Sequence, residues 1–333
     1  MPRNRQIRLK SRPAGMPTVE HFTLTESPRP EPAEGEVLTR TLLLSLDPYM
    51  RGRMDEGKSY APPIPVGGVM GGETVGEIIA SRHPEIAVGD IVLGYGNWQE
   101  YSVLPGAAVR KLDVSAAPIS TALGVLGMPG RTAYVGLLDI AKPKPGETVV
   151  VSAASGAVGS VVGQMAKIKG SRAVGIAGGE TKCRYVVEEL GFDACIDYRA
   201  PDFQDALARA CPKGIDINFE NVGGAVLNAI WPLLNEFARV PVCGLVAQYN
   251  DTAPAPGPSF VPILKKRLDV RGFIVSDHRE RLADFLRDTT QWVREGRIKY
   301  REDFVDGLER APEAFLGLLQ GKNFGKLIVR VAS

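Results

Sequence analysis

Histidine and cysteine are scarce in this chain, with three of one and four of the other among 333 residues. Cys183, Cys195, Cys211 and Cys243 show no C-x-x-C spacing. That argues against a zinc ribbon and against a disulfide framework, and favours a reducing cytoplasm. His21, His83 and His278 have no cysteine or carboxylate at ligand spacing, so they read as surface or packing residues and no metal is expected. An excess of charge is missing too: 40 basic against 38 acidic residues leave a net +2. No global field then favours nucleic acid or an anionic membrane, and a small molecule is the expected partner. No apolar run reaches the roughly 18 residues of a membrane helix, and no apolar leader segment follows the start. The opening MPRNRQIRLKSR lacks acids, as a transit peptide or nucleic-acid arm would. Ile7 and Leu9 alternate with Arg8 and Lys10 in the manner of a first strand, which fits neither.

What is present is a soluble globular composition, 44% hydrophobic and 23% charged, in a chain long enough for two domains. Up to about residue 125, short apolar runs such as 37–46, 74–80 and 90–95 alternate with Gly, Pro and charge, a β-rich rhythm. Asp90 reads as a turn residue feeding a core strand. From about 126 the rhythm becomes strand, helix, strand, helix. The runs 148–153, 172–177, 194–198, 216–221 and 240–245 predict parallel strands joined by helical crossovers, hence a doubly wound sheet. A helical pattern over 308–319, a turn at 321–325 and a strand from Lys326 to Val331 predict a return to the β-rich part. The stretch from Pro254 to Pro262 reads as a proline-rich loop.

The most informative segment is VVVSAASGAVGSVVGQMAK at 149–167. A strand buried on both faces leads into Ala154, Gly156 and Gly159, the small-residue positions of a G-x-G-x-x-G fingerprint whose first glycine is alanine. An amphipathic helix from Val158 to Ile168 follows. Small residues there permit a tight turn, close approach to a pyrophosphate and packing of the helix on the sheet, while the helix start offers N–H groups to an anion. An ordinary strand-to-helix turn is the alternative.

With that segment placed after a β-rich first third, the chain resembles the medium-chain dehydrogenases/reductases. More narrowly it resembles their zinc-independent, NADPH-dependent double-bond reductases: the leukotriene B4 dehydrogenase/prostaglandin reductase group with its bacterial curcumin-reductase and plant alkenal-reductase relatives. The resemblance is carried by SLDPYMRGRM at 45–54, GGVMGGETVGEI at 67–78, MPGRTAYVGL at 128–137, AASGAVGSVVGQMAKIKG at 153–170, NFENVGG at 218–224, CGLVAQYN at 243–250 and GKNFGKLIV at 321–329. It implies an α/β protein: a GroES-like substrate domain over 1–125, completed by 300–333, and a Rossmann NADPH-binding domain over 126–299. Zinc ligands are absent from the matching positions, since SLDPYMRG carries no cysteine and Gly71-Gly72-Glu73 stands where relatives have Gly-His-Glu.

Matched residue by residue, the resemblance places Gly156, Ala157, Val158 and Gly159 at the pyrophosphate, and Lys182 with Tyr198 at the 2′-phosphate. Asn221, Cys243, Gly244, Tyr249, Phe273, Ile274, Val275 and Asn323 fall along the rest of the cofactor. Each has a plain structural alternative: Lys182 on a solvated helix face, Asn221 and Asn323 as turn formers, Phe273 to Val275 as core, Cys243 as a small buried residue. Glu180 complicates the cofactor assignment, because an acid near the second strand suits a free ribose 2′-OH. Tyr49, Met50 and Tyr60 are implied at the apolar side of a substrate pocket; Arg51 and Arg53 either attract a carboxylate or are surface arginines.

The reaction implied is reduction of the C=C bond of α,β-unsaturated ketones or aldehydes, with hydride delivered to the β-carbon. Charge moves to the carbonyl oxygen, where Tyr249 and the cofactor ribose hydroxyl donate hydrogen bonds. An NADPH quinone reductase, or a non-catalytic nucleotide-binding protein on the same scaffold, remains open at this level. A cytoplasmic homodimer is expected.

Overall fold

The computed structural model describes residues 3–253 and 255–332, and these form two compact units, 125–301 and the remainder. Pro254, the first residue of the expected proline-rich loop, lies outside the described residues.

The 125–301 unit is built on six parallel strands: β1 (Thr148–Ser152), β2 (Arg172–Ala177), β3 (Ala194–Asp197), β4 (Ile215–Phe219), β5 (Leu234–Val242) and β6 (Asp269–Gly272). Their order across the sheet is 3-2-1-4-5-6, so the winding reverses between β1 and β4. Sheets wound in this order bind ligands at the carboxyl ends of the strands at that point. Every residue of β1 is buried, which is why it reads as an unbroken apolar run. The crossover helices are α1 (Gly159–Ile168), α2 (Glu180–Glu188), α3 (Phe203–Ala210), α4 (Gly224–Ile230) and α5 (Val261–Lys266). The last begins inside the stretch expected to be loop. Val150, Val174, Ile176, Ile215 and Val240 fill one face of the sheet with Leu207 of α3 and Val226 of α4.

In the other unit a hairpin, Arg3–Leu9 with Phe22–Pro28, accompanies a seven-stranded sheet. Lys326–Arg330 inserts between Glu302–Asp306, parallel to it, and Glu36–Ser45, antiparallel. The core packs Phe22 flat on Trp98 at 5.9 Å between ring centroids and Phe315 edge-on to Trp98 at 5.7 Å. Beside it lies a buried ion pair: the Lys326 ammonium donates to Asp47 and to the Leu46 carbonyl at 3.0 Å, and Ser45 donates to the same carboxylate.

Gly163 shows how tightly α1 is seated. A Cβ at this position would overlap the ring of Phe192, itself buried. Helix propensity favours alanine over glycine by about 1 kcal/mol, but forced overpacking of a core costs about 1 to 3 kcal/mol. Gly163→Ala should therefore destabilise on balance, lowering the melting temperature by about 2 to 6 °C in a scan followed by circular dichroism. A higher melting temperature would show that Phe192 gives way freely.

Candidate cofactor and substrate site

The turn between β1 and α1 is shaped by what its residues lack. Ala153 adopts a left-handed conformation, φ 52°. A Cβ on Gly159 would overlap the Ala153 carbonyl, and a Cβ on Gly175 of β2 would stand 2.8 Å from that of Ala154. Only glycine lets the helix begin against the turn and the turn lie on the next strand. Among the described residues, the N–H groups of Ala157, Val158 and Gly159 find no main-chain acceptor. They are the free donors of a helix start, aimed where an anion is favoured. The cradle therefore fits a dinucleotide pyrophosphate.

At the end of β2, Gly178 lies under Tyr198, whose hydroxyl is 3.0 Å from where a Gly178 Cβ would be. The Arg199 guanidinium covers the same ring at 5.6 Å, and Arg199 Nε is 3.1 Å from that Gly178 position. Asp197 ties the segment together by accepting from the N–H groups of Gly179 and Arg199, both at 2.9 Å. Glu180 accepts from Arg184 one turn along α2 at 2.8 Å, so its charge is directed along the helix. Lys182, half-buried on α2, shares this end of the sheet with Tyr198 and Arg199. Sequence reasoning passed over Arg199; the signal was its adjacency to Tyr198 just past a strand end.

Where β4 and β5 end, four expected residues come together. Asn221 spans the switch point, its N–H donating to Ser152 Oγ at 2.9 Å and its Nδ2 to the Ser152 carbonyl at 2.8 Å. Cys243 and Gly244 both donate from their N–H groups to the Glu220 carbonyl, at 2.9 and 3.2 Å. The Tyr249 hydroxyl lies 2.9 Å from where a Gly244 Cβ would be, with the Asn221 carbonyl 3.6 Å from the same point. Burial, reinforced by the Glu220 charge, pushes the Cys243 thiol up to about 12, which keeps it protonated and poorly nucleophilic near neutrality. Phe273 stands edge-on to buried Phe219 at 6.3 Å, while Ile274 and Val275 are half-buried.

In the other unit, Tyr49 is half-buried and hydrogen-bonded to Tyr95, whose hydroxyl lies 2.6 Å from where a Gly71 Cβ would be. Burial pushes both phenols above their ordinary range, Tyr49 the further. Tyr95 is a second residue that the sequence did not single out. Met50, expected on the pocket wall, is a core residue instead: it is fully buried beside Leu44 and Trp98, because the short helix Pro48–Met54 turns it inward. Arg51 is likewise neither a surface group nor open to a carboxylate, since it is 3% exposed and donates to Asp55 at 2.7 Å and to the Gly15 carbonyl at 2.9 Å. Arg53 is half-buried, with its guanidinium close enough to Tyr95 to act on the phenol. Tyr60 is 59% exposed. Asn323 donates to the Gly325 carbonyl at 2.8 Å and so shapes its own turn. Among the described residues, no group of three or more His, Cys, Asp or Glu is placed to hold a metal ion.

Two family models match the chain, "N-terminal domain of oxidoreductase" over residues 5–112 and "Zinc-binding dehydrogenase" over 157–291. The chain is 55% identical to the NADPH-dependent curcumin reductase of Escherichia coli, over 99% of this chain and 97% of that protein. It is 38% identical to the NADP(+)-dependent 2-alkenal reductase of Nicotiana tabacum, over 99% and 98%. The crystal structure of CurA from Vibrio vulnificus in complex with NADPH superposes with a TM-score of 0.95 at 53% identity, covering 99% of both chains. The chain therefore belongs to the medium-chain dehydrogenase/reductase family, in the group that holds the curcumin reductase and the 2-alkenal reductase.

Proposed function

We propose that this protein is an NADPH-dependent reductase of the C=C bond in α,β-unsaturated ketones and aldehydes. The observation that carries the reading is the seating of the Tyr249 hydroxyl against Gly244, beside Asn221, at the carboxyl edge of the sheet whose first turn forms the anion cradle. The likeness to an NADPH-dependent curcumin reductase and a 2-alkenal reductase supports the cofactor and the substrate class.

The bound cofactor supplies the hydride. The chain's own part is to hold and orient. Gly156, Ala157, Val158 and Gly159 receive the pyrophosphate, and Lys182, Tyr198 and Arg199 the 2′-phosphate. Asn221, Cys243, Gly244, Phe273, Ile274, Val275 and Asn323 border the remainder. Tyr249 donates its phenolic hydrogen bond to the carbonyl oxygen as negative charge gathers there and the β-carbon accepts hydride; a proton from solvent or from Tyr249 on the α-carbon then completes the saturated product. Tyr49 and Tyr60 line the substrate side, with Tyr95 joining them through its bond to Tyr49. On this reading, 126–299 is the cofactor domain, and 1–125 with 300–333 the substrate domain. A homodimer is supported by the β6 edge strand, whose residues are all exposed, and by Phe260 and Leu264 nearby, each 81% exposed.

The direct test is NADPH oxidation with an enone, using cofactor deuterated at the transferable position. The saturated carbonyl compound with deuterium on the β-carbon is expected; an allylic alcohol labelled at the former carbonyl carbon would make the protein a carbonyl reductase. Turnover of simple quinones alone would favour a quinone reductase, and binding without turnover a non-catalytic role. Activity should survive exhaustive chelation, with no stoichiometric zinc by metal analysis.

Lys182→Ala should raise KM for NADPH by roughly tenfold to a hundredfold and leave that for NADH nearly unchanged, because a charge-assisted phosphate contact is worth about 1.5 to 3 kcal/mol. Equal effects on both cofactors would remove Lys182 from the phosphate site. Tyr249→Phe keeps the ring and loses the donor. Its kcat should fall on the order of tenfold to a thousandfold with KM little changed; full activity would refute the role assigned to Tyr249.

A further inference from the structure

Glu220, the first residue after β4, is fully buried at the switch point. One carboxylate oxygen accepts from Ser152 Oγ at 3.1 Å and from the N–H groups of Val222 and Gly223 at 2.7 and 2.8 Å; the other accepts from Asn218 Nδ2 at 2.8 Å. Its main chain donates to the Pro241 carbonyl at 3.0 Å and accepts from Cys243 and Gly244. One residue thus fastens the ends of β1, β4 and β5 and the turn that presents Asn221. Yet among the described residues no cation pairs with it, and a neutral amide could keep the three donors on one oxygen and, with the Asn218 amide rotated, donate to Asn218 in place of the fourth. Burying an unpaired charge is costly, so the charge itself calls for an explanation.

The two redox forms of a nicotinamide cofactor supply one. They carry the same phosphates and differ by a single positive charge on the ring of the oxidised form. Repulsion between Glu220 and the phosphates is therefore common to both and cancels in their relative affinity, whereas attraction to the ring acts on the oxidised form only. The charge already reaches the neighbouring Cys243 thiol. Resting on the reading that the cofactor lies across these strand ends, we propose that Glu220 is a positioning residue whose buried charge also biases the site toward oxidised cofactor, favouring hydride donation.

The test measures dissociation constants for NADP+ and NADPH by calorimetry, without turnover, in the wild type, Glu220→Gln, Glu220→Asp and the exchange Glu220→Gln with Asn218→Asp. Asn218 Oδ1 is buried without a partner, so a rotated Asn218 amide could receive the new glutamine's N–H. Glu220→Gln should weaken NADP+ relative to NADPH on the order of tenfold, the size of effect one unit charge has on another across roughly two or three residue diameters at an effective dielectric constant of about 20. The exchange, which returns a charge to the network, should restore the ratio. Glu220→Asp keeps the charge but shortens the reach, so both affinities should fall together with the ratio held within about twofold. An unmoved ratio in Glu220→Gln, or a moved one in Glu220→Asp, overturns the proposal; the second holds even if the glutamine variant fails to fold. A wild type that binds neither form would instead overturn the cofactor reading beneath it.

Discussion

The contact on which the cofactor half depends is that of Gly159 with the carbonyl of Ala153. Because there is no side chain at Gly159, α1 starts directly against the end of the β1 turn, and Ala153 is held left-handed to make the fit. That placement leaves three N–H groups without main-chain partners at the point where the sheet changes winding direction. A one-atom addition would separate helix from turn, and the donors would lose their common aim. The next strand obeys the same constraint, since Gly175 leaves room for Ala154.

A related rule governs the tyrosines. Tyr249 stands on Gly244, Tyr198 on Gly178 and Tyr95 on Gly71, each with its hydroxyl within 3.0 Å of where a glycine Cβ would be. A phenol packed on bare backbone has its direction fixed by the surface beneath it, as for Tyr95, whose hydroxyl meets Tyr49. Preorganised donors are worth most where charge develops away from water. Glycine in these positions acts through the space it leaves rather than through chain flexibility, for none of these three glycines is left-handed.

Legibility in the sequence followed burial. The strand Arg172–Ala177 falls on the residues its apolar run predicted, and β1 and β4 within one or two, because strands covered on both faces must be apolar throughout. The sixth strand, Asp269–Gly272, was invisible: its sequence is DVRG, all four residues are exposed, and what makes it a strand is pairing with β5. The small-residue positions of the fingerprint were readable, but the left-handed residue is Ala153, just ahead of them, which no propensity would choose. Met50 and Arg51 looked available because charge and apolarity do not reveal which way a short helix faces. Here Arg51 is enclosed by Asp55 and the Gly15 carbonyl, a partner 36 residues away in the chain. Glu220 escaped notice for the same reason, its donors coming from β1, from β4 and from the turn that follows β4.

On the proposed placement of the cofactor, the charges near the strand ends divide the work of binding from that of bias. Lys182 and Arg199 sit at the end of β2, partly open to solvent, where a cation can attract a phosphate and be screened by salt. A cofactor 2′-phosphate is present in both redox forms, so on that placement these residues would raise affinity without preferring either. Glu220 is opposite in every respect: negative, enclosed, fixed by four donors and set beside the nicotinamide-side segments Asn221 and Cys243 to Gly244. On the proposed placement, a charge there would be repelled by the phosphates in both forms alike and would act on the one charge that changes during reaction. Affinity gained from a feature common to substrate and product cofactor cannot drive turnover; only the interaction that differs between them can.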